Sequence, residues 1–110
     1  MNYAAFMLVT VTPAWLALSR QERENFEEEV LGPTLERHAG KVSVRWFDAE
    51  AFSGHCSDVV LFEAEDPHAY YALVEDLRET ELFTKPYMEV NEVIFGVEEG
   101  FRQLDSSGER

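Results

Sequence analysis

The chain has 110 residues, 45% of them hydrophobic, so it fits one globular domain with its own core. It carries 22 acidic against 9 basic residues, a net charge of −13, which disfavours binding to nucleic acids and to anionic membrane surfaces. The single cysteine, Cys56, has no partner for an intramolecular disulfide, and no apolar run reaches the ~20 residues that cross a bilayer, so we expect a cytoplasmic protein.

Apolar periodicity and turn residues predict alternating strands and helices. In chain order, the predicted elements are strand Tyr3–Val11, a helical turn from residue 13, a helix over 20–40, strand Val42–Asp48, a loop over 50–56, strand 58–65, a helix from 67 that restarts near 80, strand 87–95 and a terminal helix within 97–104. Residues 105–110 are polar, and we expect them to form a disordered tail after a single domain over 1–104.

Helix boundaries carry clear local signals. Ser19 and Glu22 have the spacing of a capping box, in which each side chain bonds to the other residue's backbone N–H. Asp66 followed by Pro67 is typical of a helix start. Pro33 lacks the N–H donor that a helix needs, so we expect a kink or restart there.

The order β-α-β-β-α-β predicts an α+β domain of the ferredoxin-like type. Four antiparallel strands would form one sheet, with two helices covering one of its faces. The α/β units in the chain are therefore expected to make a two-layer sandwich with one uncovered sheet face.

The strands are apolar on both faces, which predicts a cover for the second face. In the first strand Tyr3, Ala5, Met7, Val9 and Val11 alternate with Ala4, Phe6 and Leu8; in the fourth, Met88, Val90 and Ile94 alternate with Val93 and Phe95. An exposed apolar face promotes aggregation, and a second copy of the chain is the simplest cover. We therefore predict a homodimer through the sheet, of the dimeric α/β-barrel kind. The alternative is a monomer shielded by its terminal segment.

Arg45 is the strand residue with the most suggestive chemistry. It lies in the middle of the second strand, on the side shared with Phe47, and Glu63, Glu89 or Asp58 could partner it. A pocket arginine would hold an acidic or enolic ligand, whereas a rim salt bridge would tie two strands together. If the protein is an enzyme, Arg45, Glu63 and Glu89 are the catalytic candidates.

The aromatic residues predict a ligand cavity between sheet and helices, with an ordinary core as the alternative. The predicted ligand-binding residues are Trp15, Arg45, Phe47, Phe62, Tyr70 and Tyr87. We expect no metal site, because adjacent His55 and Cys56 are a poor chelating pair and His38 and His68 lie on helices. The sequence has no glycine-rich phosphate loop or dinucleotide motif, so we expect no cofactor.

Four stretches together resemble the darcynin family of small bacterial and fungal proteins. They are Phe6-Met-Leu-Val9 with Thr12-Pro-Ala-Trp-Leu16, Arg45-Trp-Phe-Asp-Ala-Glu-Ala-Phe52, Tyr71-Ala-Leu-Val-Glu-Asp-Leu-Arg-Glu-Thr80 and Tyr87-Met-Glu-Val90. The resemblance implies a ferredoxin-like domain and supplies no catalytic residues, because the family has no established activity. By fold analogy alone, the domain is similar to dimeric α/β-barrel proteins, which include cofactor-independent monooxygenases, polyketide cyclases and ligand binders.

The sequence alone therefore leaves three candidate functions. The first is a homodimer that binds a small apolar or aromatic molecule between sheet and helices. The second is a cofactor-independent enzyme of the monooxygenase or cyclase type, which needs an acid or base with a perturbed pKa inside the cavity. The third is an acidic module that associates with a basic protein partner.

Overall fold

The computed structural model describes residues 1–107. The strands are β1 (Tyr3–Val11), β2 (Val42–Asp48), β3 (Asp58–Ala64) and β4 (Met88–Val97). The helices are α1 (Pro13–Leu16), α2 (Arg20–Phe26), α3 (Gly32–Glu36), α4 (Pro67–Arg78), α5 (Glu81–Thr84) and α6 (Gly100–Ser107), and a π-helical segment, Glu27–Leu31, joins α2 to α3.

The four strands form one sheet in the order β2-β3-β1-β4, and every neighbouring pair is antiparallel. This order, with the helices between strands packed on one face, is the ferredoxin-like arrangement. The fold class predicted from the element order is confirmed. Among residues 1–107, no helix combines the length and the apolar character needed to cross a membrane.

The local helix signals act as the sequence predicts. The Ser19 hydroxyl accepts from the Glu22 N–H at 3.1 Å, and the Glu22 carboxylate accepts from the Ser19 N–H at 2.9 Å. The Asp66 carboxylate accepts from the His68 N–H at 2.9 Å and caps α4. The predicted restart near Thr80 is present, because α4 ends at Arg78 and Thr80 caps α5.

The core lies between the sheet and the helical layer. Its buried side chains come from the helix-facing side of the strands and from the inner sides of the helices: Ala5, Met7, Val9, Val42, Val60, Phe62, Ala64, Phe26, Ala69, Leu73, Leu77, Leu82, Tyr87 and Met88. The period-two pattern of β1 therefore separates a buried side from an outer side.

A β-bulge changes the expected face of Ile94. The register of β1 against β4 shifts between Leu8 and Val9, so that Val9 pairs with Val90 while Met7 pairs with Val93. The extra residue on β4 reverses the alternation beyond it. The predicted grouping of Ile94 with Met88 and Val90 is therefore wrong, and Ile94 lies on the outer side opposite Phe6.

We define the open face as the side of the sheet turned away from the helices. Across the four strands, Arg45, Leu61, Phe6 and Ile94 form one row, and Phe47, Val59, Leu8 and Glu92 form the next. Phe6, Phe47 and Ile94 are 43%, 48% and 53% exposed. Because they retain this exposure with α6 in place, the terminal helix does not cover the open face.

The C-terminal boundaries differ from the predicted ones. β4 continues two residues past the predicted end, to Val97, and α6 runs from Gly100 to Ser107. Residues 105–107, expected in a disordered tail, are helical in this structure. The rest of the predicted tail, 108–110, lies outside the described residues.

An ion pair links the segment after α3 to α4 and makes stability depend on pH. His38 Nε2 lies 2.6 Å from Asp76 Oδ2, and this hydrogen bond, followed by the nearby Arg37 charge, lowers the pKa of Asp76. A carboxylate with a lowered folded-state pKa stabilises the fold above its unfolded-state pKa, and this contribution is lost as pH falls through the folded-state value. We expect Asp76→Asn to reduce stability at pH 7, and the difference from wild type to disappear as the pH falls through the lowered pKa of Asp76.

Urea unfolding over a pH series measures this difference. Glu75→Gln, an exposed neighbour on the same helix, is the matched control and should follow the wild type at every pH. If the stability difference between wild type and Asp76→Asn is the same at pH 2 as at pH 7, the ionised Asp76 carboxylate is not its source.

Candidate functional site

A cleft of about 510 Å³ opens between the sheet and the helical layer, at the end of the sheet where β1 ends and β2 connects to β3. Its lining is mainly apolar and aromatic, with three carboxylates: Val11, Trp15, Phe26, Glu27, Leu31, Gly32, Leu35, Trp46, Asp48, Asp58, Leu82, Tyr87 and Met88. A volume of about 300–1,000 Å³ and a largely apolar lining are typical of small-molecule sites.

Three aromatic rings form one wall of this cleft. Trp15, Phe26 and Tyr87 contact one another edge to face, with ring centroids 5.1 to 5.9 Å apart. Such edge-to-face contacts add to the stabilisation from burial alone. Thr12 holds the cluster together, because its N–H donates to the Tyr87 carbonyl and its hydroxyl donates to the Pro86 carbonyl at 2.6 Å.

The sheet supplies the opposite wall. Trp46 on β2 faces the helices, and its indole N–H donates to Asp58 Oδ2 at 2.7 Å. Asp58 is buried at the start of β3 and lies directly opposite Asp48 in the antiparallel pairing of the two strands. The two carboxylates therefore share one face of the sheet and both line the cleft.

The π-helical segment forms the third side. Glu27, Leu31 and Gly32 all line the cleft, and the Gly32 N–H donates to the Glu27 carbonyl five residues earlier. This wide turn accommodates Pro33, which has no N–H to offer a regular helix. Single π turns within α-helices occur frequently at functional sites.

The charges in the cleft are all of one sign. Glu27, Asp48 and Asp58 line it, and the lining contains no lysine, arginine or histidine. In the part of the chain that the structure describes, the ion pairs join other residues: Asp76 with His38 and Arg37, Glu63 with Arg45, and Glu99 with Arg102. Arg23, which is not part of the lining, lies 5.8 Å from the Trp15 ring centroid and donates to the carbonyls of Trp15 and Leu16.

Of the residues predicted to bind a ligand, Trp15 and Tyr87 lie in the cleft. Arg45 and Phe47 lie on the open face, where the guanidinium donates to Glu63 Oε1 at 2.7 Å and is 5.9 Å from the Phe47 ring centroid. A hydrogen bond from the Asn2 amide, followed by the one from Arg45, lowers the pKa of Glu63. The structure thus places Arg45 in a cross-strand salt bridge on the face away from the cleft.

The third catalytic candidate, Glu89, is exposed on β4 and pairs across the sheet with Thr10 of β1, on the open face. Arg45, Glu63 and Glu89 therefore all lie on the open face, whereas the cleft is on the other side of the sheet. Asp58, a further partner considered for Arg45, lies on the opposite side and bonds to Trp46 instead.

Phe62 and Tyr70 belong to a second aromatic cluster, outside the cleft lining. Tyr70 on α4 contacts Phe62 at 5.4 Å and Phe95 at 5.6 Å, and Tyr3 stacks on Phe95. Burial raises the pKa of the Tyr70 phenol. These rings pack the sheet against α4, which is the core role that the sequence left as an alternative.

Sequence reasoning missed much of the lining. Phe26, Leu31 and Leu35 fell within the predicted helix over 20–40 and Asp48 at the end of a predicted strand, and none of them was predicted to bind a ligand. The available signal was the Gly32-Pro33 break, which marks the distortion that turns Glu27 and Gly32 to the cleft. The charge of the cleft could not be predicted without the strand register, because only the pairing of Asp48 with Asp58 shows that the two residues share a face.

A second hollow is less suited to an organic ligand. It has a volume of about 590 Å³ at the opposite end of the sheet and contains Lys41, Glu63, Glu65 and Asp66, but no aromatic side chain. Among the described residues, no three His, Cys, Asp or Glu side chains are grouped so that they could hold a metal ion. The cleft is therefore the candidate site.

Comparison with solved structures defines the class of the fold. A heme-binding protein from Thermus thermophilus superposes with a TM-score of 0.80 and 22% identity over 93% of this chain and 43% of that one. Chlorite dismutase from Candidatus Nitrospira defluvii, in complex with imidazole, gives 0.75 and 20% over 87% of this chain and 39% of that one. This chain spans about two-fifths of those solved chains. The domain therefore has the ferredoxin-like fold of the chlorite dismutase type.

Sequence comparison defines the family. A family model described as "Darcynin, domain of unknown function" matches residues 2–107. A darcynin homolog from Streptomyces avermitilis is 45% identical over 98 residues, 88% of this chain and 79% of that protein. Darcynin 1 from Acinetobacter baumannii is 37% identical over 91 residues, 83% of this chain and all of that protein. The chain belongs to the darcynin family, and the resemblance read from its sequence is confirmed.

Proposed function

We propose that this protein binds a small apolar or aromatic molecule in the cleft between sheet and helices. The observation that carries the proposal is a cleft of about 510 Å³ with the Trp15, Phe26 and Tyr87 cluster on one side and Trp46 on the other. Flat, rigid rings offer a large apolar contact area to an aromatic guest. The darcynin family has no established activity, so the support comes from the site itself.

Because one of the structural neighbours is a heme-binding protein, we compared the cleft lining with what haem requires. Haem iron takes histidine, cysteine, methionine or tyrosine as axial ligand, and only Met88 and Tyr87 in the lining are of such a type. Haem also carries two propionates, which would meet Glu27, Asp48 and Asp58 with no base to neutralise them. The lining therefore does not fit haem, and we derive no chemistry through it.

The enzyme alternative has less support than binding. Its candidates, Arg45, Glu63 and Glu89, lie on the open face, away from the cleft. Glu63, whose pKa is lowered by hydrogen bonds from Asn2 and Arg45, is held on that face and outside the cleft lining. A general acid or base must be able to reach its substrate before its pKa matters.

The two tryptophans of the chain give a direct test of binding. Both Trp15 and Trp46 line the cleft, so fluorescence excited at the red edge of tryptophan absorption reports on this site alone. We expect titration with neutral 2,2-diphenylethanol to give a saturable change in emission. The same compound should raise the melting temperature, because it binds the folded state only.

A pair of leucine variants tests the location. Leu35→Phe adds volume inside the cleft, and we expect it to weaken binding of 2,2-diphenylethanol about tenfold or more, a loss of about 1.4 kcal/mol. Leu16→Phe makes the same change at an exposed position outside the lining and should bind as the wild type does. No saturable change in the wild type, or equal binding by the two variants, would refute the proposal.

We further propose that two copies pair through their open faces. The support is the row of Leu61, Phe6 and Ile94 across three strands, in which Leu61 is nearly buried while Phe6, Ile94 and the flanking Phe47 are about half exposed. A four-stranded face of roughly 20 by 25 Å offers about 500 Å² before the relief of its side chains is counted, against ~800 Å² per partner in a standard interface. The Arg45–Glu63 pair is neutral as a unit, and two further carboxylates of that face, Glu89 and Glu92, lie on the edge strand β4.

A further inference from the structure

We infer that the molecule bound in the cleft carries a positive charge, as an aromatic or arylalkyl amine does. The inference rests on the proposed function, because the volume and the aromatic walls make the cleft a site. The three carboxylates then determine the charge of its occupant. The sequence had left open an acidic or enolic ligand held by Arg45, and the placement of Arg45 on the open face removes that possibility from the cleft.

The carboxylates lack an internal counter-ion. Glu27, Asp48 and Asp58 line the cleft, and within the described residues none of them forms an ion pair with lysine, arginine or histidine. Asp48 and Asp58 are directly opposite on neighbouring strands, an arrangement in which like charges repel each other. A cation bound between them would relieve this repulsion, whereas an anion would add to it.

The position of Asp58 strengthens the argument. Its side chain is only slightly exposed, and one oxygen accepts the Trp46 indole N–H at 2.7 Å, which fixes the carboxylate beside an aromatic ring. A carboxylate held in this way is oriented before any ligand arrives, so binding orders few additional groups. Exposed aromatic faces such as that of Trp46 also attract ammonium groups.

A metal ion is a poorer occupant than an amine. No group of three metal-ligating side chains forms among the described residues, so the three carboxylates do not together make a metal site. An organic amine fits this arrangement of carboxylates better, because its ammonium group needs only one or two of them. Its apolar body can then contact the aromatic walls of the cleft. Charge-assisted hydrogen bonds to a partly buried carboxylate are roughly twice as strong as neutral ones.

Three compounds of one shape and different charge test the inference. We expect 2,2-diphenylethylamine, cationic at pH 7, to bind about tenfold more tightly than neutral 2,2-diphenylethanol, and diphenylacetate to bind more weakly than either. Binding is followed by tryptophan fluorescence at physiological salt and again at 0.5 M NaCl. The preference for the amine should shrink at high salt and persist in part, because a partly buried pair is screened less than an exposed one.

Variants separate the cleft carboxylates from the overall charge. Asp48→Asn removes one exposed carboxylate of the cleft, and we expect it to reduce the amine preference about threefold to tenfold while the alcohol binds as before. Asp58→Asn should act in the same direction and retains an oxygen to accept the Trp46 N–H. Glu75→Gln removes the same charge at an exposed position of α4, outside the cleft lining, and should leave the preference unchanged.

The outcomes distinguish this inference from the function on which it rests. If the alcohol binds in the cleft and the amine binds no more tightly, the inference fails and the proposed function stands. If Glu75→Gln lowers the preference as much as Asp48→Asn does, the effect belongs to the net charge of −13 and the inference fails. If none of the three compounds binds, both the inference and the proposed function fail.

Discussion

Phe6→Glu is expected to convert a dimer into a folded monomer. Phe6 lies at the middle of the central strand β1, between Leu61 of β3 and Ile94 of β4, on the face that we propose for the dimer. A two-fold axis would bury both new carboxylates without a partner, at a cost of about 3–5 kcal/mol, or more than a hundredfold in the dimer dissociation constant. Analytical ultracentrifugation over a concentration series measures the change.

The fold of the monomer should survive this substitution. Phe6 is already 43% exposed, so the carboxylate remains hydrated when the partner leaves, and circular dichroism should match that of the wild type. Phe52→Glu is the matched control, because Phe52 is 92% exposed in the loop between β2 and β3 and contributes to neither sheet face. We expect it to dimerise as the wild type does.

Two results would overturn the proposed dimer. If the wild-type protein sediments as a monomer at high micromolar concentration, no second copy covers the open face. A Phe6→Glu variant that stays dimeric associates through another surface. The edge strand β4 is the first surface to examine in that case, because its outer backbone edge is unpaired and Val93 and Phe95 are partly exposed on its helix-facing side.

The fold followed from sequence because its signals are local. The capping box at Ser19 and the Asp66-Pro67 pair locate helix starts without any long-range information. The apolar strands between them leave few arrangements for a chain of this length. Ile94 marks the limit of this reasoning: its face depends on a bulge between two strands, and a bulge changes the alternation without leaving a clear local signature.

The site was harder to predict, because its parts come from distant segments. Trp15 and Tyr87 were identified as aromatic candidates, but their contact depends on the hydrogen bonds of Thr12 to residues more than seventy positions later. Arg45 drew attention because a charge in an apolar strand is unusual. On the open face it is 60% exposed and paired with Glu63, so its charge is stabilised without a pocket. The alternation of side chains along one strand does not show which face of the sheet the helices cover. That requires the register of the strand against its neighbours.

Gly32→Ala is expected to destabilise the protein by about 1–3 kcal/mol, the range for forcing extra volume into a packed site. A β-carbon at residue 32 would lie 2.9 Å from the carbonyl oxygen of Glu27, which is backbone and cannot rotate away. The π-helical segment would have to open or shift to relieve the contact. Because Glu27, Leu31 and Gly32 line the cleft, this shift should also alter the emission of Trp15 and weaken the binding of 2,2-diphenylethanol.

Gly40→Ala is the matched control for this prediction. A β-carbon at residue 40 meets no atom within 4 Å, so the free energy of unfolding should change by less than about 0.5 kcal/mol. Urea unfolding of both variants and the wild type, with tryptophan emission recorded in parallel, provides the comparison. Equal stabilities for Gly32→Ala and Gly40→Ala would mean that the segment yields without cost. The π turn would then be a flexible wall of the cleft, and residue 32 would not need to be glycine to hold Glu27 in place.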